Sequence, residues 1–349
     1  MTGLSPFLQE EIAAGSFPGA AALVGSAGAI LAEALEGDAA VEPEREKLAA
    51  DTLFDLASLT KPLAAGALLR LALGRGLSLE DPPGRFLPEW RKTRFDGITL
   101  ERLLTHTSGL PAWYPLYACG EGRAAYRRTL AGIEPEGRPG AAVVYSDLGF
   151  LVLGDVLEVF FSAPIERCFA ELVAAPAGSA ARFLPERAAS CAATERGDRF
   201  ERERTAALGL SYGAFRQGVV RGQVHDGNAF RRGGAAAHSG LFGTAPDVWR
   251  LSRGWLDDAA SPWTGDRTPE MSEARGLSWQ GRRGAGSAVP EFSETAFGHT
   301  GFTGTSVWID PGRGRIFVLL TNRIHPEVRD VNFNEVRQRF HRFVVNREP

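Results

Sequence analysis

The sequence predicts an α/β (α+β) fold in which both chain ends build one antiparallel sheet and a mainly helical region is inserted between them. Strand patterns lie near both termini, and helical stretches alternate with Pro- and Gly-rich loops in the middle. A chain of 349 residues is long enough to bury a sizeable core. We therefore expect a discontinuous sheet region at 1–61 and 235–349, flanked by terminal helices, and a helical region at 62–234.

Periodicity and glycine positions predict the N-terminal elements. Residues 4–14 have the amphipathic pattern of a helix, which Gly15 ends. The apolar stretches 20–26 and 29–36 flank Gly28 and predict two strands joined by a turn.

The inserted region is predicted to begin with a helix from about Ser58 to Leu73, because Gly74 follows directly. Further helical stretches lie at 100–104, 150–161 and 165–173.

The C-terminal pattern returns to strands. Residues 306–310 and 315–321 flank Pro-Gly-Arg-Gly at 311–314, which predicts a hairpin. Residues 332–345 are expected to form a final helix.

Composition limits the classes of partner. The net charge is −3 and the isoelectric point is about 6.1, so we expect neither nucleic acid nor a membrane surface as a partner. The arginine-rich segment 196–204 is interleaved with acidic residues and is expected to be a solvated loop. The longest apolar segment, 141–161, contains three acidic residues and is too polar to span a bilayer. The sequence does not specify an oligomeric state.

Targeting signals and metal-ligand spacings are not found. The first six residues lack the pattern of a signal peptide, and the expected location is the cytoplasm. Cys119, Cys168 and Cys191 are odd in number and lack C-x-x-C spacing, so we expect reduced thiols. The six histidines show no metal-binding spacing, and we predict neither a metal nor a cofactor.

One of the few lysines lies beside a serine. The chain has 36 arginines and only three lysines, and Lys61 follows Ser58 by three residues. Residues three apart share a helix face, so the amine can reach the hydroxyl. Unlike arginine, a desolvated lysine can lose its proton, and this pair has the spacing of an activated serine nucleophile.

Two further segments carry candidate catalytic or binding residues. Tyr145 and Asp147 lie in Val-Tyr-Ser-Asp-Leu-Gly at 144–149. A tyrosine phenol can shuttle a proton beside a lysine, although Tyr145 alone would also suit a core aromatic. The run Gly-His-Thr-Gly-Phe-Thr-Gly at 298–304 would let substrate approach the backbone closely, although alone it would also suit a glycine turn.

Together, and in this order, the Ser-x-x-Lys, Tyr-x-Asp and His-Thr-Gly segments resemble the three motifs of the β-lactamase and penicillin-binding-protein serine hydrolases. The class C-like branch, with its esterases and peptidases, is the most similar. The resemblance also includes Leu-Leu-Thr-His-Thr-Ser-Gly-Leu-Pro at 103–111 and covers roughly residues 50–322. Further similar segments lie at 224–234, 238–242 and 244–247. Within that branch, the chain resembles the subgroup of muramyl-peptide amidases and penicillin-binding-protein-4B-like hydrolases.

The resemblance implies a β-lactamase-like fold with the site at the seam between its two regions, and it implies individual roles. Ser58 would be the nucleophile, Lys61 its partner and Tyr145 the general base and acid. The backbone amides of Ser58 and Phe302 would form the oxyanion hole. The other expected substrate-binding residues are Asp147, His299, Thr300, Gly301 and Phe302.

Two positions depart from the branch pattern. Asp147 stands where asparagine is common. If it contacts Lys61, it would favour the ammonium form of the lysine and shift proton transfer toward Tyr145. Equally, it could be a tolerated variant. His299 replaces the lysine of the third motif and would hold a substrate carboxylate less firmly, because its reference pKa is about 6.5.

The other histidines are not expected to be catalytic. His106 and His238 are interpreted as hydrogen-bonding residues that stabilise turns. His225, beside Asp226, would either orient a loop or line the cleft. The remaining two, His325 and His341, are expected at the surface.

The predicted function is hydrolysis of an amide or ester through an acyl-enzyme on Ser58, on a small-molecule or muropeptide substrate. Three alternatives stay open: an exo-acting N-acetylmuramyl-L-alanine amidase of cell-wall recycling, a small-acyl carboxylesterase, and a slowly turning-over acylated sensor.

Overall fold

A computed structural model describes residues 3–95, 97–257, 261, 263–329 and 331–347. The extreme ends of the predicted sheet region, residues 1, 2, 348 and 349, lie outside the described residues. The α-helices are α1 Leu4–Ala13, α2 Ala67–Leu73, α3 Leu100–Leu104, α4 Gly122–Gly132, α5 Asp147–Phe161, α6 Ile165–Phe169, α7 Ala175–Ala177, α8 Arg199–Ala207, α9 Gly227–Arg231, α10 Ala245–Ser252 and α11 Phe333–Val345. The strands are β1 Gly19–Gly25, β2 Ile30–Ala40, β3 Glu46–Lys47, β4 Phe54–Asp55, β5 Arg182–Phe183, β6 Ala193–Arg196, β7 Val219–Arg221, β8 Leu241–Gly243, β9 Gln280–Gly281, β10 Phe297–Thr300, β11 Ser306–Asp310 and β12 Arg315–Thr321.

Both ends of the chain contribute to the main sheet, as predicted. Its seven strands run in the order β3-β2-β1-β12-β11-β10-β9, and every pairing is antiparallel. The N-terminal β1 lies directly beside the C-terminal β12, with Leu23 opposite Val318. The α/β fold is thereby confirmed, whereas the proposed division at residues 61, 62, 234 and 235 stays a prediction.

Alternation along the central strands places an apolar layer on each face of the sheet. On β12, Phe317 and Leu319 pack against the terminal helices α1 and α11, while Ile316, Val318 and Leu320 pack toward the helical region. Because successive side chains of a strand point to opposite faces, a continuous apolar run can serve both layers. The sheet is therefore covered on both sides.

The inserted region is organised around α5. Residues Leu148–Glu158 of this helix are all buried, and its apolar side chains join the larger hydrophobic core. The helix begins at Asp147, three residues before its predicted start, because the Ser146 hydroxyl accepts a hydrogen bond from the Gly149 amide and caps it. The N-terminus of α5 consequently presents Asp147 at the seam between helices and sheet.

The predicted helix from Ser58 to Leu73 is divided into segments of different pitch. A 3₁₀ turn at Ala57–Leu59 is followed by a π-helical segment, Lys61–Gly66, and then by α2. Pro62 has no amide hydrogen with which to continue a regular α-helical pattern, and wider turns are frequent at functional sites.

The expectation that His325 and His341 lie at the surface is wrong, because both side chains are fully buried. His325 Nε2 accepts hydrogen bonds from the amides of Val41 and Glu42. His341 lies on the inner face of α11, packs against Phe292 and shares a hydrogen bond with the Ser287 carbonyl. The orientation of α11 decides which of its faces is buried.

Among the described residues no single helix is long and apolar enough to cross a membrane. One pair of helices, Asp147–Phe161 and Ile165–Ala177, bent by 74°, passes a test of length and composition only when taken together. Within the same described part of the chain, no three His, Cys, Asp or Glu side chains are grouped as metal ligands would be.

Candidate active site

Ser58 lies directly after a strained residue, Ala57, two residues beyond the end of β4. Ala57 has a φ of 47°, which side chains other than glycine rarely adopt. Its amide donates a 2.9 Å hydrogen bond to Asp55 Oδ1, which holds this turn in place. The 3₁₀ turn then exposes Ser58 partly at the wall of a cavity, as a nucleophile requires.

Lys61 is fully buried and donates to three acceptors. Its Nζ lies 2.9 Å from Ser58 Oγ, 2.7 Å from Asp147 Oδ1 and 3.3 Å from the His238 carbonyl oxygen. A lysine ammonium has three N–H groups, and each of them has an acceptor here. The structure therefore brings the predicted Ser58–Lys61 pair into direct contact.

The contact with Asp147 determines the charge of Lys61. Burial alone would lower the pKa of the amine, but the Asp147 carboxylate and the Tyr145 phenol raise it above its usual value. Lys61 is therefore an ammonium at neutral pH. Of the two possibilities considered for Asp147, the structure shows the contact with Lys61, so this carboxylate is part of the site's charge balance.

Tyr145 lies next to this ion pair. Its ring centroid is 4.8 Å from Lys61 Nζ, and both Lys61 and Ser58 are near enough to the phenol to lower its pKa. Burial raises the pKa of Tyr145, and the positive charge of Lys61 offsets only part of that rise. The resting phenol is consequently neutral.

His106 fixes the segment that carries Tyr145. Its Nδ1 accepts a 3.0 Å hydrogen bond from the Ser146 amide, and its ring packs 4.5 Å from the ring of Tyr145. Burial, together with the charges of Arg275 and Lys61, lowers the pKa of His106 well below its usual value. The imidazole is therefore a neutral acceptor, and its predicted role as a hydrogen-bonding residue agrees with this geometry.

Gly301 brings the third motif against the nucleophile turn. A Cβ at this position would lie 2.1 Å from Thr305 Oγ1 and 2.7 Å from the Leu56 carbonyl oxygen, so the approach requires glycine. Phe302 follows at the cavity wall. The amides of Ser58 and Phe302 donate no hydrogen bond to any described residue, which leaves both donors for a substrate oxygen.

His299 lies near Tyr145 but does not line the cavity beside Ser58, which is called the main cavity below. Its side chain is 2% exposed, and its Nδ1 is 2.8 Å from the carbonyl oxygen of Thr300. Burial and the charges of Lys61 and Arg275 lower the pKa of His299 well below its usual value. The ring lines a smaller cavity of about 200 Å³, which shares Tyr145, Thr300 and Asn334 with the main one. Its substrate-binding role stays a prediction.

The main cavity has a volume of about 400 Å³ and is lined by residues of all three motifs. The expected solvated loop at 196–204 is wrong in its second half, because α8 begins at Arg199 and places Phe200, Glu201 and Arg204 on the cavity wall. The spacing of Phe200 and Arg204 by four residues was the available sign of a shared helical face.

Two histidine–carboxylate pairs lie at the same cavity. His225 Nε2 lies 2.9 Å from Glu195 Oε2, and His238 Nε2 lies 2.8 Å from Asp226 Oδ1. His225, whose amide also donates to Asp55 Oδ2, thus both orients a loop and lines the cleft. Burial of Glu201, together with the nearby Asp226 charge, raises the pKa of the Glu201 carboxyl to about 7.

Comparison with known proteins assigns the chain to a family. A sequence model of the beta-lactamase family matches residues 4–339. The chain belongs to the beta-lactamase family. As a member it is a serine hydrolase, and the resemblance noted in its three motifs is confirmed.

The curated relatives of this beta-lactamase-family hydrolase carry amidase and carboxypeptidase names. It is 29% identical to an N-acetylmuramyl-L-alanine amidase of Bacillus subtilis (strain 168), covering 94% of this chain and 82% of the relative. It is 28% identical to a putative D-alanyl-D-alanine carboxypeptidase of Escherichia coli (strain K12), covering 82% of this chain and 73% of the relative.

Solved structures show the same fold at lower identity. EstCE1, a hydrolase with promiscuous acyltransferase activity, superposes with a TM-score of 0.73 at 21% identity, covering 96% of both chains. A class C beta-lactamase superposes with a TM-score of 0.72 at 17% identity, covering 99% of this chain and 95% of the other.

Proposed function

We propose that this hydrolase cleaves an amide bond of a peptidoglycan-derived peptide through an acyl-enzyme on Ser58. The 2.9 Å contact between Lys61 Nζ and Ser58 Oγ, at the wall of a 400 Å³ cavity, is the main support. Lys61 is the donor in that contact, so the hydroxyl proton of Ser58 is directed elsewhere. Tyr145 is the neighbouring group that can receive it.

Acylation then proceeds as a proton relay. As Ser58 Oγ attacks the substrate carbonyl carbon, its proton passes to the Tyr145 oxygen, and the proton of that phenol passes to the leaving nitrogen. The ammonium of Lys61, held charged by Asp147, stabilises negative charge that develops on the phenol oxygen. The amides of Ser58 and Phe302 stabilise the tetrahedral oxyanion. A phenol with a raised pKa suits this relay, because it keeps a proton to donate to the leaving group.

Deacylation reverses the relay with water in place of the amine. Water attacks the acyl carbon, its proton passes through Tyr145 to Ser58 Oγ, and the product acid leaves. Each step returns Lys61 and Asp147 to the charged pair that is present before the reaction.

The proposed substrate class comes from the two curated relatives. Both names describe the cleavage of an amide bond at an alanine residue, in one case next to N-acetylmuramic acid. Of these, we favour the bond between N-acetylmuramic acid and L-alanine. A cytoplasmic location, and with it a role in cell-wall recycling, stays a prediction from the sequence.

Steady-state hydrolysis of N-acetylmuramyl-L-alanyl peptides, followed by mass spectrometry, tests the proposal. A kcat/KM of about 10⁴ M⁻¹s⁻¹ or more, which is typical of committed enzymes, is expected. Ser58→Ala should abolish both this turnover and covalent labelling by a serine-directed phosphonate. Undiminished labelling of Ser58→Ala would contradict the assignment of the nucleophile.

Two parallel assays separate the alternatives. Turnover of p-nitrophenyl butyrate without muropeptide cleavage would indicate a small-acyl carboxylesterase. A labelled Ser58 whose acyl group persists for hours with every substrate would indicate an acylated sensor. Cleavage of D-alanyl-D-alanine peptides alone would move the scissile bond to the other end of the peptide.

A further inference from the structure

Arg275 is a buried cation beside Tyr145 that has no part in the proposed relay. Its guanidinium carbon lies 5.5 Å from the centroid of the Tyr145 ring, and its side chain is buried. Both residues line the smaller cavity, together with His299. Charges interact strongly where water is excluded, so this cation must affect any change of charge on the phenol.

The guanidinium is fixed through its backbone and through its side chain. The Arg275 amide donates a 2.9 Å hydrogen bond to Thr268 Oγ1, and the Arg275 carbonyl oxygen accepts one of 2.8 Å from the Arg267 amide. Its Nη2 donates at 2.6 Å to Glu273 Oε2, which also accepts a hydrogen bond from Gln280 Nε2. These contacts hold the group in one position.

The guanidinium, and not its partner carboxylate, is the member of this ion pair that faces Tyr145. Glu273 lines neither the main nor the smaller cavity, whereas Arg275 lines the smaller one with Tyr145. Burial lowers the pKa of Arg275, and the charges of Glu273 and Tyr145 offset only part of that effect. An arginine still keeps its proton at neutral pH. Because coupling between charges is reciprocal, a negative charge on Tyr145 is in turn stabilised by Arg275.

The other titratable groups around Tyr145 supply no net positive charge. They come from four parts of the chain: Lys61, Asp147, His106 and His299. Lys61 and Asp147 form an ion pair, and both histidines are neutral. His299 replaces the lysine of the third motif, so that motif contributes no charge here. Among the described groups that face Tyr145, Arg275 therefore provides the second cation.

Arg275 also helps to keep His106 neutral. Burial lowers the pKa of His106 most, and the charges of Arg275 and Lys61 lower it further. The neutral ring accepts the 3.0 Å hydrogen bond from the Ser146 amide at Nδ1, which a protonated imidazole cannot do. Loss of that acceptor should displace the residue that follows Tyr145 in the chain. The charge of Arg275 thus supports both the acidity and the position of the phenol.

We propose that Arg275 is a positioning residue of the proton relay. Its buried guanidinium stabilises the negative charge that develops on the Tyr145 oxygen, and it keeps His106 in the form that orients the Tyr145 segment. Arg275 does not line the main cavity, so it acts through these two residues and not on the substrate. This inference rests on the proposed hydrolase function and adds a residue to its mechanism.

Steady-state kinetics of charge-changing variants test the proposal in the intact protein. The substrate is the N-acetylmuramyl-L-alanyl peptide, or p-nitrophenyl butyrate if only the ester is cleaved. Arg275→Gln should lower kcat on the order of 10–100-fold, because one charge near a developing anion is lost. KM should change little, since the residue does not contact substrate. Arg275→Lys should retain part of the activity, because it keeps the charge.

Arg253→Gln is the matched control. The Arg253 guanidinium lies 4.9 Å from the centroid of the Trp249 ring, and Arg253 lines neither the main nor the smaller cavity. The control therefore also removes an arginine that packs on an aromatic ring, and it should leave kcat unchanged. An equal loss in Arg253→Gln, or a wild-type kcat in Arg275→Gln, would overturn the proposal.

The pH–rate profile separates the charge of Arg275 from a purely structural role. Removing a positive charge raises the pKa of neighbouring groups, so both limbs of the kcat/KM profile should move to higher pH in Arg275→Gln. Glu273→Gln removes the negative charge of the same ion pair, so it should move both limbs to lower pH. Loss of packing alone would lower the rates without opposite shifts. Limbs at the wild-type positions in both variants would contradict the electrostatic role.

Fluorine NMR tests the inference without turnover. The chain has five tyrosines, so biosynthetic labelling with 3-fluorotyrosine gives five resonances, and Tyr145→Phe identifies one of them. Relative to the wild type, the Tyr145 phenol should titrate at higher pH in Arg275→Gln and at lower pH in Glu273→Gln.

This comparison also separates the inference from the proposed function. If the wild type hydrolyses no substrate, the hydrolase proposal fails, while the Tyr145 titrations still decide the role of Arg275. If Arg275→Gln does not fold, Glu273→Gln alone provides the comparison. Identical titrations in the wild type and the variants would overturn the inference independently of turnover.

Discussion

The carboxylate of Asp147 lies 2.7 Å from the ammonium of Lys61, at the N-terminus of α5. A neutral amide is common at this position in the class C-like branch. The carboxylate changes the resting site, because it raises the pKa of Lys61 against the effect of burial. Lys61 is therefore an electrostatic and hydrogen-bonding partner of Ser58. In the proposed relay, Tyr145 accepts the Ser58 proton.

Asp147→Asn should lower the pKa of Lys61, because the largest opposing influence on the buried amine is removed. The ammonium is the active form in the proposed relay, so the alkaline loss of kcat/KM should move to lower pH. A pH–rate profile between pH 6 and 11 checks this. An unchanged alkaline limb would mean that the contact does not set the charge of Lys61.

Tyr145→Phe should reduce kcat by about 10²–10⁴, the usual size of acid–base catalysis. The substitution removes the hydroxyl and keeps the ring that packs against His106. Tyr212→Phe is a matched control, because Tyr212 also loses only a hydroxyl but does not line the cavity. Stopped-flow measurement of acylation and deacylation should show both steps slowed. A near-wild-type rate would exclude Tyr145 from the mechanism.

Gly301→Ala should reduce activity by displacing the third motif from Ser58. The added Cβ would lie 2.1 Å from Thr305 Oγ1 and 2.7 Å from the Leu56 carbonyl oxygen. Gly28→Ala is the control, since a Cβ there meets no described atom within 4 Å. Phosphonate labelling rates and thermal unfolding of both variants check the prediction. Wild-type labelling by Gly301→Ala would show that the close approach is unnecessary.

Stability should fall on acidification below about pH 6.5. The pKa values of four buried histidines are lowered in the folded state: His106, His299, His325 and His341. The unfolded chain therefore binds more protons below the reference pKa, and stability present above it is lost as the pH falls. His341, whose pKa is lowered to about 3, contributes about 1.4 kcal/mol between pH 7.5 and 5.5. The pKa values of His225 and Glu201 are raised in the folded state, so these two residues act in the opposite direction.

Urea unfolding of the wild type and His341→Gln at these two pH values checks the sign. Burial lowers the pKa of His341 to about 3, so its removal should reduce the acid-induced loss by about 1.4 kcal/mol. An equal loss in both proteins would show that His341 does not contribute to the pH dependence.

Much of the site was accessible from the sequence because it depends on local spacing. Ser58 and Lys61 are three residues apart on one helical turn, and the structure joins them at 2.9 Å. The strands and turn of the C-terminal hairpin were likewise predicted at 306–310 and 315–321, because alternation and turn chemistry are local properties.

The location of this protein in the cytoplasm and the division into a sheet region and an inserted region stay predictions. Other expectations were wrong because they concern which side chains are buried, and burial depends on the tertiary structure. His341 appeared polar enough for the surface, but the orientation of α11 places it against Phe292 in the core. The segment around Arg204 looked like a solvated loop, yet α8 forms a wall of the cavity.

By itself the sequence determined the family motifs, the strands and helices at both chain ends, and the identity of the nucleophile candidate, because these follow from spacing along the chain. Only the tertiary structure decided which charged groups, distant in the chain, lie close enough to interact. Asp147 lies 86 residues from Lys61 in the chain, yet the two charged groups are 2.7 Å apart. Protonation and charge balance depend on through-space distance and burial, which spacing along the chain does not encode.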